Sequence, residues 1–555
     1  MHGPNLRSNR RDRPRTTLGE TERRSFLTLT AAGAAAVVFG VGPYTDKAYA
    51  ETTLAAYPFT LGVASGDPLP DGVVLWTRLA PDPLALDGKG GMPAAKVAVR
   101  WKVAEDEGLR RVVQQGTTWA RPELAHAVHI EVGGLRPGRW YFYQFESGTH
   151  LSMVGRTRTA PTPGDRVAQL AFAFASCQAP DGGHYTAYQH MANEDLDLVL
   201  HLGDYIYENP GPAITLDDYR VRHAEYRLDV HLQATHAAFP WVVTWDDHDV
   251  DNDYAGLVPH TSSATPTAEA FHVRRANAYR AFYEHLPLRR SSVPTGPDMR
   301  IYRRLGYGRL ADFSVLDTRQ YRHDQVAAGS SDRVNPARSI LGQEQEEWLH
   351  RGLGDSAATW KIIAQQIQVA QIDYDIDEGE AYYMDAWDGY PATRDRLFQA
   401  IQDQGVDNIG IIAGDLHQSF AADLKADFRD PDSATLGVEH VGTSISSNGD
   451  GIDTTPGIEP IMAANPHIKF NNAQRGYVRC VLTPEQWRAD YRVVPYISQP
   501  GAAIYTRASF VTENGNPGLH QVADNAVPSQ PPSSASTDFP NSDAMRRGRE
   551  NSDAR

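Results

Sequence analysis

The 555-residue chain contains only two cysteines, Cys177 and Cys480. That excludes a disulfide-stapled secreted scaffold, so stability must come from a core. One Cys177–Cys480 bridge is the single pairing left open. No apolar run reaches the length of about 18 residues needed to span a bilayer, which excludes a polytopic membrane protein and stable insertion of the mature chain. The chain also has no basic excess: 53 basic against 69 acidic residues leave a net charge of −16. A nucleic-acid binder that works by neutralising phosphates is disfavoured on that ground. Neither an internal repeat nor a Gly-rich nucleotide loop is present. What remains is ordinary for a globular chain, and the length allows two or three domains of roughly 150 residues each.

Residues 1–50 read as an address. Arg23-Arg24 precede Ser25-Phe26-Leu27, a short apolar stretch and the small-x-small site Ala48-Tyr49-Ala50. This order resembles a twin-arginine signal, which implies the twin-arginine translocase as a partner during export of the folded chain and a secreted or cell-wall location. Residues 51–162 then show short strands punctuated by Pro and Gly, with alternation at Val97, Val99, Trp101 and Val103. A small all-β sandwich is expected there. Its stretch Leu135-Arg136-Pro137-Gly138 followed by Tyr141 resembles the tyrosine-bearing turn of fibronectin type III-like domains.

From 163 to 520 the pattern changes to apolar runs separated by helical stretches, an α/β domain. Thr265-Pro266 is expected to open a helix bearing Phe271, Tyr279, Phe282 and Leu286, and 392–404 to form another that stops at Gly405. Residues 477–494 read as a hairpin. A polar tail, expected to be disordered, fills 521–555. The acidic stretch 372–380 is read as facing solvent.

The chemistry sits after the strands. Cys177 follows AFAFAS, Asp204 follows LVLHLG, Asp246-Asp247-His248-Asp249 follow WVVTW, Asp317 follows FSVL, and Asp415 and His417 follow IIAG. Ligands of open α/β sheets bind beyond the carboxyl ends of strands, so these groups point to a metal centre. Carboxylates and an amide at Asp204, Asp247 and Asn252 suit calcium, magnesium or manganese. A thiolate at Cys177 and a phenolate at Tyr207 suit a stronger Lewis acid, ferric iron above all, whereas a tyrosine would be an unusual zinc ligand. An Asp shared by two ions would give the two-metal arrangement used on phosphate esters. Arg319 offers a bidentate fork for phosphoryl oxygens.

The segments FASCQ (174–178), GDYIYE (203–208), TWDDHDVDNDYAG (244–256), DTRQYR (317–322), WKIIAQQ (360–366), WDGYP (387–391), GDLHQSF (414–420) and GTSISSNGDG (442–451) resemble the PhoD-type alkaline phosphatases, within the calcineurin-like metallophosphatases. The resemblance implies an α/β metallophosphatase sandwich, preceded by the β domain. It also implies a ferric ion on Cys177 and Tyr207, calcium beside it, and Asp204 bridging the two. Asp247, Asn252, Asp415 and His417 complete the implied ligand set, with either Asp247 or Asn252 closing the calcium shell. Asp247 stands where the wider superfamily keeps an Asn, and Asp415 where it keeps a His. His248, Arg319 and Asn252 are the implied catalytic groups, with His248 near the leaving group.

The implied activity is hydrolysis of phosphate mono- and diesters by a metal-activated hydroxide. A phospholipase D-like or teichoic-acid phosphodiesterase is the alternative within the same family. A calcium-dependent cell-surface binding protein is the alternative outside enzymes, opposed by the presence of His248 and Arg319 beyond the expected ligands.

Overall fold

Short apolar runs without alternation fold as strands buried on both faces. In the computed structural model, which describes residues 54–377 and 379–527, Leu170–Ala175, Leu198–His201 and Pro240–Val243 lie side by side in parallel. Their last residues are in register, Ala175 opposite His201 and His201 opposite Val243. Ala311–Val315, Trp360–Ala364 and Ile409–Ala413 repeat the arrangement in a second sheet, where Val315, Ala364 and Ile412 line up. Among the described residues the first sheet has ten strands and the second has seven. One core cluster draws Phe172, Phe174 and Leu200 from the first sheet and Phe313, Ile362 and Ile412 from the second. The chain ends of both parallel sets are thereby brought towards one another.

The N-terminal segment has a core of its own, in which Val73 and Leu75 meet Val99, Tyr143 and Phe145. It is nonetheless continuous with the large sheet, because Val63–Leu69 pairs in parallel with Pro240–Val243 and carries Gly72–Arg78 and Ala127–Val132 beyond it. A strand pattern shows where strands lie but not which distant strand they pair with, so the sequence treats 51–162 as self-contained. Within it the Arg136 amide donates to Tyr141 Oη at 2.9 Å, which fixes the turn before strand Trp140–Ser147.

Other departures are local. The helix expected from Thr265 spans Ala268–His285 instead, because Thr267 is the residue whose hydroxyl accepts the Ala270 amide. Leu286 falls just outside it. The helix Pro391–Asp403 opens on its proline and buries Leu397, Phe398 and Ile401 as expected. The tail begins later than 521: strand Asn516–Asp524 pairs with Tyr505–Glu513, and its ladder carries the polar residues that composition alone reads as unfolded. The twin-arginine segment and everything past 527 lie outside the described residues. Among the described residues no helix is long and apolar enough to cross a membrane.

Cys177 and Cys480 are both free and buried, which corrects the single-bridge option. Cys480 packs in the shared core opposite Phe172, while Cys177 lies past the end of the neighbouring strand.

Among the histidines at no more than 1% exposure are His201, His223, His236, His285 and His440. Burial pushes His201, His223 and His440 down to about 3 and lowers His236 and His285 well below their usual value. The unfolded chain therefore takes up these protons first as pH falls. Their stabilisation is complete above about pH 6.5 and declines as pH falls towards 3. Buried carboxyls raised the other way, Asp249 to about 8 and Glu439, Asp246 and Asp253 to about 7, offset part of this loss. The thermal midpoint is expected to drop by several degrees between pH 7.5 and 5. A midpoint that holds or rises over that interval contradicts this account.

Candidate metal centre

Each functional group follows a strand end whose register is given above. Two glycines allow the ends to meet. At Gly203, with φ of 123°, a Cβ would stand 2.4 Å from the Asp246 Cβ, and at Gly414 it would stand 2.3 Å from Ser176 Oγ. Larger residues there would push the loops apart. Next to these glycines the backbone is held in the left-handed region at Cys177 (φ 59°), Asp204 (52°), Asp415 (67°) and His417 (53°). Non-glycine residues adopt that conformation at a cost of order 1 kcal/mol or more, so its recurrence at four proposed ligands marks a site.

The side chains converge. Ligand atoms of Cys177, Asp204 and His417 lie within 4.8 Å of one another, as do those of Asp204, Asp247 and His248, and those of Asp246, Asp247 and Asp415. Asp204 belongs to two of these groups and Asp247 to two of them as well. Tyr207 Oη is 2.9 Å from His417 Nε2 and 2.8 Å from Ser447 Oγ, which itself lies 2.8 Å from the Cys177 carbonyl. The tyrosine is thus aimed at the Cys177 side.

Several buried acceptors here have no hydrogen-bond partner: Asp204 Oδ1, Asp246 Oδ2, Asp247 Oδ1 and His417 Nδ1. Such atoms are costly to bury unless something cationic meets them. Burial, reinforced by neighbouring aspartates, drives the Asp204 and Asp415 carboxyls well above their usual range. Burial and then Asp204 do the same to the Cys177 thiol and the Tyr207 phenol. An ion would reverse these shifts, since metal binding displaces protons from its ligands. The donor set therefore fits a metal. Sulfur, phenol and imidazole gather on the Cys177 side, and carboxylates alone on the Asp246–Asp415 side.

His248 is only partly buried, with 21% of its side chain exposed. Its Nδ1 lies 2.8 Å from Glu208 Oε2. Burial alone would lower its pKa, but the carboxylates of Glu208, Asp247 and Asp204 raise it well above the usual value, which favours the protonated ring. Glu208 is itself buried and also accepts the Asn252 amide at 3.3 Å, which sets Asn252 beside the histidine. Asn252 is half-buried.

Two expectations change. Arg319 has no open face for phosphate: it is fully buried, its Nε on Asp246 and its Nη1 2.8 Å from Asp385 Oδ1. Its Nη2 lies 2.7 Å from Asp385 Oδ2 and 3.7 Å from Asp247 Oδ1. Three aspartates close around a cation that the sequence leaves unpartnered. Asp317 is likewise turned away from the centre, accepting the Trp245 indole and the amides of Arg319 and Gln320. The residues that sequence reasoning misses are Glu208, Asp246 as a ligand, and Asp385. Glu208 sits four positions after Asp204 in GDYIYE, a spacing that marks it in retrospect. Asp385, from the loop before WDGYP, carries no local signal.

A family model described as PhoD-like phosphatase matches residues 172–491, and one described as PhoD-like phosphatase, N-terminal domain, matches residues 45–161. The chain is 52% identical over 499 residues to the alkaline phosphatase D of Bacillus subtilis (strain 168), covering 86% of this chain and 85% of that protein. A solved structure described as "Structure of PhoD" superimposes with a TM-score of 0.85 at 50% identity, over 90% of this chain and 98% of that one.

Proposed function

The chain belongs to the PhoD-like phosphatase family and is a phosphoric ester hydrolase; from that premise we propose that it cleaves phosphate mono- and diesters at an iron–calcium centre. The observation that carries this reading is the set of orphaned acceptors on Asp204, Asp246 and Asp247, gathered with Cys177 and His417 in overlapping groups. Cys177, Tyr207, His417 and Asp204 would hold ferric iron, because thiolate and phenolate are stabilised by a strong Lewis acid. Asp246, Asp247 and Asp415 would hold calcium, an oxygen-seeking ion, with Asp204 between the two. Asn252, whose main-chain amide meets the same Glu208 carboxylate as His248, would close the calcium shell or touch phosphate. When bound, the two ions supply Lewis acidity that makes water nucleophilic and shares the phosphoryl charge.

The protein's own groups do the rest. Glu208 engages Nδ1 of His248, so only Nε2 remains free to meet an ester oxygen. The imidazolium can hand its proton to a departing alkoxide and return neutral for the next cycle. Arg319 holds Asp246 and Asp247 in place and offsets their charge before any ion arrives.

Iron bound by Tyr207 and Cys177 should absorb in the visible through ligand-to-metal charge transfer. Tyr207→Phe and Cys177→Ser should each alter the band. An active, iron-free, colourless preparation rules the iron assignment out. Rates on a monoester and on a phospholipid or teichoic acid, at equal enzyme, separate the general phosphatase from the specialised phosphodiesterases of the same family.

Export by the twin-arginine translocase, giving a secreted or wall-associated enzyme, completes the reading. It rests on Arg23-Arg24 and the residues behind them. Replacing both arginines by lysine should leave folded enzyme in the cytoplasm, and undiminished secretion would point to another route.

A further inference from the structure

The segment WKIIAQQ ends on two glutamines that the chemistry above leaves without a task. Both follow strand Trp360–Ala364 of the second sheet, and their side chains diverge. Gln365 accepts the indole N–H of Trp387, in the WDGYP segment, at 3.2 Å. Gln366 is fully buried and reaches a residue of the first sheet: its Nε2 donates to Thr244 Oγ1 at 2.8 Å and to the Leu316 carbonyl at 2.9 Å. Its Oε1 accepts from the Thr318 amide at 3.1 Å and from the Thr318 hydroxyl at 2.7 Å. Both donors and both acceptor positions of the amide are filled, so it has nothing left to offer a substrate or an ion.

The segments it joins are those that carry the site. Thr244 follows strand Pro240–Val243 and stands two residues before Asp246. Its hydroxyl, while accepting from Gln366, donates to the Leu316 carbonyl at 3.0 Å. Thr318 lies between Asp317 and Arg319, and the Gly414 amide, next to Asp415, donates to the Gln366 carbonyl at 2.7 Å. Gln366 and Thr244 thus bridge the two sheets beneath the group formed by Asp246, Asp247 and Asp415, whose ligand atoms lie within 4.8 Å of one another. Two of these aspartates follow the first sheet and one the second. Ionised and without a cation between them, they repel one another and act to open the seam. A neutral tie resists that opening and brings no charge to compete with a cation.

We propose that Gln366 is a positioning residue: through Thr244 it pins the sheets across their seam and holds Asp246 and Asp247 opposite Asp415 before an ion arrives. The inference rests on the metal reading above. Such preorganisation is expressed as affinity, since a loosened cage must be drawn together on binding.

The test compares wild type with Gln366→Met, which loses all four side-chain bonds, and Thr244→Val, which keeps the shape and loses the bridge. Thr235→Val is the matched control: Thr235 is also buried, and its hydroxyl meets only the carbonyls of Tyr188 and His231, both on helices. Calcium is titrated into each protein after stripping by chelator and reloading with ferric iron, and thermal midpoints are taken with and without calcium. Gln366→Met should bind calcium about tenfold more weakly, the lower end for a lost outer partner of a metal site, and Thr244→Val about threefold or more. In both, the gap between the two midpoints should narrow. Thr235→Val should lower both midpoints together and leave the affinity unchanged.

A change of less than about threefold in either bridge variant, or one matched by Thr235→Val, would make Gln366 an ordinary buried amide and overturn the proposal. Should Gln366→Met fail to fold, Thr244→Val decides alone. Wild type that takes up no calcium would instead refute the metal reading beneath the proposal, so the two failures are told apart.

Discussion

Asp204→Asn is expected to empty the centre of metal and to lower turnover by about 10³-fold or more, since it removes charge from the carboxylate that links the Cys177–His417 pair to Asp247. Asp204 shares one cluster with Cys177 and His417 and another with Asp247 and His248. The fold should survive. Asparagine tolerates the left-handed backbone that Asp204 adopts, and the main-chain bond from the Gln178 amide to the Asp204 carbonyl is untouched. Elemental analysis beside a far-ultraviolet spectrum separates the outcomes. Full metal content with low activity would show that Asp204 acts on substrate rather than on ions, and intact activity would remove it from the mechanism.

His248→Ala should differ in kind. On the reading above it removes no ligand, so metal content should persist while turnover falls by about 10²-fold or more. The loss should be greatest for esters of poor leaving groups and smallest for nitrophenyl esters, which depart without a proton. Glu208→Gln gives a graded version, because glutamine can still accept from Nδ1 but cannot hold the ring as an imidazolium so firmly. Uniform loss across leaving groups would make the histidine a positioning group and send the search for the acid elsewhere. Loss of metal from His248→Ala would make it a ligand.

The strands of the α/β portion were legible because each apolar run is short and bounded by polar residues, and the placement of Cys177, Asp204, Asp247, Asp415 and His417 followed from lying after such runs. That rule over-reached at Asp317, which follows a strand of the second sheet but is spent on local amides. It said nothing of Arg319. A lone arginine in sequence looks free, and only the folded loop that brings Asp385 against it shows that carboxylates surround it. Glu208 was hidden for the opposite reason, being a charged residue where charge reads as solvent. Pairing was the least accessible feature: nothing between 63 and 69 announces a parallel partner at 240–243.

The two sheets also have an implication for the order in which a nascent chain becomes competent. Cys177, Asp204, Asp246 and Asp247 follow strands of the first sheet, while Asp415 and His417 follow a strand of the second. A ribosome releases the first four long before the last two. An ion met midway through synthesis finds half a cage and no reason to stay. Unlike a zinc finger, whose neighbouring ligands let the metal organise the chain, this arrangement lets the chain organise the metal. Occupancy is then a certificate that synthesis and folding are both finished.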